Sequence, residues 1–232
     1  MRVLLVNQFY PPDMAPTGQH LHDLARCLVM RGHIVRVLCS RRSYDGEGRY
    51  AAEETMDGVH VHRVSTLGFG RRGITRLADY ISFHLAVFLH VKRYVERSDL
   101  AVCLTTPPYI GWTVRRALGR HVARMVHWVM DAYPDVLAAH GGLCSSGIGY
   151  RMLEGLTRLQ LDGAVLVLAL GPRMRNRVAR YATSDTRLEW VSLWGTPPED
   201  TVDMAAPALW RKRLDSLQNS STALSAKGCP MP

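Results

Sequence analysis

A doubly wound parallel α/β sheet is the fold this sequence predicts, and three observations carry the prediction. Residues 3–39 form one complete β-α-β unit: an apolar strand at 3–6, a Pro-rich loop, a helix from Thr17-Gly18 to Gly32, and a second strand at 34–39. Such a crossover demands parallel pairing with the helix on one face of the sheet. The same alternation of strand and helix then repeats to about residue 193. Finally, the runs DLAVCLT (99–105) and AVLVLAL (164–170) have no polar face. Strands covered by helices on both sides read in this way.

The remaining elements follow in order. SRRSYDGEGRY (40–50) is a polar loop. Gly58 leads into the alternating strand 59–64, where His60 and His62 share the polar face. LGFGRRG (67–73) is a Gly-rich loop, and 74–97 reads as a long helix. Pro107-Pro108 closes the strand that begins at Asp99, 109–118 is helical, and 123–129 is a strand ending in MDAYPD. Glycines at 141–142 and 147–149 mark a loop, 150–161 a helix, 172–182 a helix with Pro at its start, and 188–193 a last short strand. That makes about seven parallel strands. From Gly195 the pattern stops. The reading is one domain, 1–194, followed by a linker and disordered tail, 195–232.

Composition bounds the function. The 232 residues carry 47% hydrophobic and 21% charged side chains, as an ordinary globular protein does. The net charge of +9 comes almost entirely from arginine, since the lysines are Lys92, Lys212 and Lys227. An excess of this sign suits phosphate-bearing ligands or an anionic membrane face. No zinc-finger, RNP or basic-zipper pattern accompanies it, so nucleic acid is not the expected partner. The five cysteines form no C-x-x-C pair; Cys27, Cys39 and Cys103 read as buried thiols in a reducing cytoplasm. There is no signal peptide, and no apolar run approaches the roughly 20 residues that span a bilayer.

In a doubly wound sheet the ligand lies at the carboxyl edge, where strand order reverses. The loops after the first and fourth parallel strands meet there, with the fifth beside them. One pocket would collect Thr17, Gly18, Thr105, Thr106, Tyr109 and Asp131. Thr17 and Gly18, at a helix start, would donate to an anion such as a phosphate. Asp131 would accept from sugar hydroxyls. Each also has a plain structural reading. Thr17 caps the helix, Gly18 lets it pack closely, Thr105-Thr106-Pro107-Pro108 is a turn, and Asp131 and Asp135 cap the next helix. The long helix faces the core, or else lies in a membrane interface with Phe83, Val87 and Phe88 toward lipid. In that case Arg71, Arg72, Lys92 and Arg93 would meet anionic headgroups. His60 and His62 fit polar-face alternation; no H-E-x-x-H or D-x-D appears, so no metal ligand is assigned. The G-x-G-x-x-G of nicotinamide dehydrogenases is also missing.

Several stretches together resemble the amino-terminal half of bacterial family-4 glycosyltransferases, in the subgroup similar to WbuB-type enzymes of surface-polysaccharide synthesis. They are NQFYPPDMAPTGQHLHDLA (7–25), RGHIVRVLCSRRSYDG (31–46), GVHVHRV (58–64), RLADYISF (76–83), LTTPPYIG (104–111) and HWVMDAYPDV (127–136). The resemblance implies a Rossmann-like domain that is one half of a GT-B enzyme. This half would bind the acceptor and touch the donor phosphates through Thr17-Gly18. A second domain would bind the nucleotide sugar, the co-substrate, with a glutamate pair. Transfer would retain anomeric configuration without metal or other cofactor. The acceptor would be a lipid-linked glycan at the inner face of the cell membrane.

Beyond Trp194 the strand and Gly loop that open the family's second domain are not recognisable. The expectation is a truncated reading frame, out of register after about Trp210, and a chain inactive alone. The alternatives are a split enzyme whose donor domain is a separate chain, and a non-catalytic membrane-surface or protein-binding module.

Overall fold

Why the strands pair as they do follows from their apolar patterns. A computed structural model gives the arrangement and describes residues 1–44, 48–67, 73–94, 99–119 and 124–193. In chain order the elements are β1 (Arg2–Val6), α1 (Pro16–Met30), β2 (Ile34–Ser40), β3 (Glu53–Met56), β4 (Val59–Val64), α2 (Gly73–Tyr94) and β5 (Leu100–Leu104). Then come α3 (Ile110–Leu118), β6 (Met125–Trp128), α4 (Asp135–Ala139), α5 (Ile148–Leu161), β7 (Leu166–Ala169), α6 (Pro172–Val178) and β8 (Leu188–Trp190). One sheet runs in the order β3-β4-β2-β1-β5-β6-β7-β8. All its pairs are parallel except β3 with β4. The doubly wound α/β fold is therefore as expected, with eight strands in place of seven.

The added strand is β3. It joins β4 through Asp57 (φ 51°) and Gly58 (φ 77°). Positive φ at both central residues defines the type I′ hairpin turn, which suits the twist of the flanking strands. Asp-Gly was the signal in the sequence. The residues before it, EETM, carry no apolar pattern because this edge strand is exposed or half-buried along its length.

Alternation along β1 divides the core. Val3 and Leu5 pack with Leu21 and Ala25 of α1 and with Val35 and Val37 of β2. Leu4 and Val6 face the other way, onto Phe83, Val87 and Val91 of α2 and Ile110 and Val114 of α3. A third cluster, Leu161, Val167, Val178 and Tyr181, anchors α5 and α6. The end of α1 shows how local chemistry sets a boundary. Gly32, at φ 78°, donates to the Val29 carbonyl at 2.8 Å, and His33 donates to that of Leu28 at 3.1 Å. This is the Schellman stop, and a glycine enters the left-handed region without strain.

Burial decides between the two readings of α2 and corrects one expectation about the cysteines. Phe83 and Val87 are fully buried in the core and do not face outward. The outward side of α2 carries Leu77, Ile81, Leu85 and Leu89 instead. Cys39 and Cys103 are buried, but Cys27 is exposed on α1. Among the described residues no helix is long and apolar enough to cross a membrane. The chain divides into two units, Met1–Leu193 and Trp194–Pro232. The second, with the expected linker and tail, lies outside the described residues.

Candidate functional site

Strand order reverses between β1, followed in sequence by its neighbour β2, and β5 on its other side. Main-chain bonds hold the loop after β1 across this point. The Asn7 amide donates to the Leu38 carbonyl at 3.3 Å and the Gln8 amide to that of Thr106 at 2.8 Å, while the Ser40 amide donates to the Gln8 carbonyl at 2.8 Å. The loop thereby ties together the ends of β2, β1 and β5. Further on, buried Asp13 accepts from the amides of Ala15 (3.1 Å) and Tyr44 (2.7 Å). The buried guanidinium of Arg63 donates to the carbonyls of Pro11 (2.6 Å) and Ala51 (3.3 Å) and pairs with Glu54. A buried charge is tolerated only with several such partners. The loop is thus fixed by its own chemistry.

At the start of α1, Thr17 does not cap. The N-cap is Ala15, with no side-chain bond, and Thr17 Oγ1 accepts from Asn7 Nδ2 at 3.2 Å. Gly18 is buried and its amide donates to the Ala15 carbonyl at 2.9 Å. A Cβ there would lie 3.0 Å from the Phe9 carbonyl oxygen and 3.2 Å from Tyr10 Cα. Gly18 therefore supplies close approach of helix to loop, the packing role named above.

On the β5 side, buried Thr105 accepts at Oγ1 from the amides of Met130 and Asp131, both at 3.0 Å. It clamps the end of β5 to the end of β6 and so positions Asp131. Thr106 contributes its carbonyl to Gln8. Tyr109 adopts φ 64°, and its ring centre lies 6.2 Å from that of Tyr133. A non-glycine residue at positive φ is a strained placement of the kind that clusters at functional sites. Surrounding protein holds the Asp131 carboxyl above its usual range, with Arg76 opposing. Burial pushes the Tyr133 hydroxyl up to about 12, helped by Asp131 and Tyr80 and opposed by Arg76. Arg76 Nε donates to the Tyr80 hydroxyl at 2.6 Å. Gln8 Nε2 donates to Asp79 Oδ2 at 3.4 Å.

Tyr109, Asp131 and Tyr133 therefore gather with Arg76, Asp79, Tyr80 and Gln8 at the rim. A cavity of about 20 Å³, room for about one water, is lined by Thr105, Tyr109, Asp131 and Tyr133; Thr17 and Gly18 do not line it. Two further oxygens, Asn7 Oδ1 and Gln8 Oε1, are buried without a hydrogen-bond partner among the described residues. Buried acceptors are usually satisfied, so these invite a water or a ligand hydroxyl. Sequence reasoning missed Asn7, Gln8, Arg76, Asp79, Tyr80 and Tyr133. The spacing R-x-x-D-Y at 76–80, which sets three polar side chains on one helical turn, was the available signal.

Asp135 does not face this rim. It accepts from the hydroxyls of Tyr181 (2.7 Å) and Tyr150 (3.1 Å) and from Arg180 (2.7 Å). Burial raises its carboxyl, and these bonds outweigh that and hold it below the usual range. It joins α4, α5 and the end of α6. Of the expected membrane residues, Lys92 is exposed, with Nζ 5.8 Å from the centre of the Phe88 ring. Arg71, Arg72 and the side chain of Arg93 lie outside the described residues.

Two solved structures share this fold. A sucrose-phosphate synthase from Thermosynechococcus elongatus matches with a TM-score of 0.55 at 11% identity, over 92% of this chain and 97% of that one. The catalytic domain of starch synthase IV from Arabidopsis thaliana, bound to ADP and acarbose, matches at 0.50 and 12% identity. That match covers 81% of this chain and 51% of the synthase, about half its length. No curated protein sequence matches. A model of the glycosyl transferase 4-like domain matches residues 17–194, from the first turn of α1 to just past β8. A match over most of the sequence, on the sheet topology these synthases share, means that the chain belongs to the glycosyl transferase 4-like domain family.

Proposed function

We propose that Met1–Leu193 is the acceptor-binding half of a retaining, nucleotide-sugar-dependent glycosyltransferase of cell-surface polysaccharide synthesis. The observation that carries this is the polar rim at the strand-order reversal. Asp131 can accept from sugar hydroxyls, and Arg76, Tyr109 and Tyr133 can donate or stack. A carboxyl held above its usual range is also better suited to relay a proton than an ordinary aspartate. Thr105 serves by fixing Asp131, and Thr106 by holding the Gln8 loop. Donor phosphates would approach the start of α1 beside Thr17, where the helix dipole favours negative charge and Gly18 keeps helix and loop close. The nucleotide sugar itself would be held by a second, donor-binding unit, and the acceptor would be a lipid-linked glycan.

Saturation-transfer NMR with soluble oligosaccharide acceptors tests the reading. Wild-type protein should bind one class of glycan, and Asp131→Asn should weaken it about tenfold, the scale of a lost hydrogen bond to a charged group. The variant should keep its thermal midpoint. Undiminished binding by Asp131→Asn would sink the assignment.

A further inference from the structure

Helix α2 is apolar on two opposite sides, and among the described residues only one of them is packed. Phe83, Val87 and Val91 are buried against the sheet and α3. Leu77, Ile81, Leu85 and Leu89 are 56%, 60%, 58% and 56% exposed. Four residues advance a helix by about 40° beyond a full turn, so the row winds slowly along one side for about 18 Å. A lone exposed leucine needs no explanation, but a contiguous apolar row marks an interaction surface.

Charge decides which kind. Over Gly73–Tyr94 the only carboxylate is Asp79, and it receives the hydrogen bond of Gln8 at the rim. Exposed Lys92 follows Leu85 by seven residues, two helical turns on, and so falls on the same side as the row. Within Gly73–Tyr94 the outward row thus combines aliphatic side chains with a lysine and carries no carboxylate, on a chain of net charge +9. A protein partner selected through salt bridges of both signs would find only one sign here. A bilayer with anionic headgroups matches both features: acyl chains take the leucines and phosphates take the lysine.

We propose that the outward face of α2, centred on Ile81 and Leu85, is a contact surface for an anionic lipid bilayer. The face starts one residue from Arg76, which acts on Asp131. A membrane-held substrate would therefore reach the rim without leaving the lipid. That use rests on the function proposed above; the bilayer contact does not.

Vesicle co-sedimentation of the full chain tests it, with phosphatidylcholine alone against a 70:30 mixture with phosphatidylglycerol. Wild-type protein should bind the anionic vesicles and lose them as salt is raised. The double substitution Ile81→Gln, Leu85→Gln should weaken binding at least tenfold, with an unchanged thermal melt because both positions are exposed. Lys92→Gln should weaken it about fivefold, the share of one basic residue near such a surface. Absence of vesicle binding by wild type, or equal binding by the double variant, overturns the proposal. So does a double variant that turns a dimer into monomers while still binding vesicles, since the face would then belong to a second copy. Binding of a soluble glycan by the double variant should equal that of wild type. A failure of the rim reading therefore shows in the glycan titration and a failure of the lipid reading in the vesicles.

Discussion

Small contacts at single residues decide much of this molecule. At Gly111, in the first turns of α3, a Cβ would come within 2.2 Å of His127 Cε1 and 2.6 Å of its Nδ1. His127 is fully enclosed and cannot swing aside. Gly111→Ala should therefore destabilise the protein by about 1–3 kcal/mol, the usual cost of overpacking, despite alanine's better helix propensity. A thermal melt checks this; an unchanged or raised midpoint would mean that the ring can move. Gly18 has the same logic in weaker form, since its missing Cβ leaves room for the Phe9 carbonyl. Thr105 and Asp135 make a related point. Both stand in a loop-rich edge that invites a binding role, yet their side-chain atoms are taken up by backbone amides and by Tyr181, Tyr150 and Arg180 respectively. Asp131 has none of those bonds to its carboxyl, which is why the proposed function places the sugar there.

Elements in this fold are joined by histidines, and that sets a pH dependence. His127 on β6 is held down to about 4 by burial. His90 on α2 is also held near 4, by burial first and then by His62, whose ring stacks on it at 3.7 Å. Around His90, Glu53 of β3 opposes the shift and Arg36 of β2 adds to it. His62 Nδ1 lies 3.0 Å from Glu53 Oε1, which ties β4 to β3 beside the His90 ring. The sign follows from linkage. Below the ordinary histidine value of about 6.5 the unfolded chain takes up protons that the folded one refuses until pH approaches 4. Stability should fall as pH drops through this window, by on the order of 3 kcal/mol for the enclosed His127 alone. Melting midpoints from pH 7 to pH 4 measure it, and a flat profile across that range contradicts the assignment. The contact between α2 and the β3–β4 edge should loosen over the same window, because protonated His90 would carry a buried charge against the stacked His62 ring.

At the scale of the whole molecule, the function proposed above makes Met1–Leu193 one wall of a reaction site. The family's chemistry needs a sugar donor beside the acceptor, and Met1–Leu193 offers a single polar rim. On that reading, Met1–Leu193 by itself should give no appreciable sugar transfer with nucleotide sugars and membrane lipid extract, and turnover when a donor-binding unit is added. Robust transfer without one would show that the site is already complete. The sequence by itself determined the sheet and the order of its helices, because apolar periodicity, Gly and Pro punctuation and the handedness of crossovers are local or nearly so, and it pointed to the carboxyl edge as the place to look for a site. It left β3 unseen, because a polar edge strand has no apolar pattern. It left two readings of α2 open, core-facing or with Phe83 and Val87 toward lipid, because a helix apolar all round does not announce which side meets the sheet. Only the tertiary structure settled that side and brought Arg76, Tyr80 and Gln8 to Asp131. Those residues lie on three separate segments, and their meeting depends on how α2 docks against α3 and β4, a long-range packing outcome that no single window of sequence encodes.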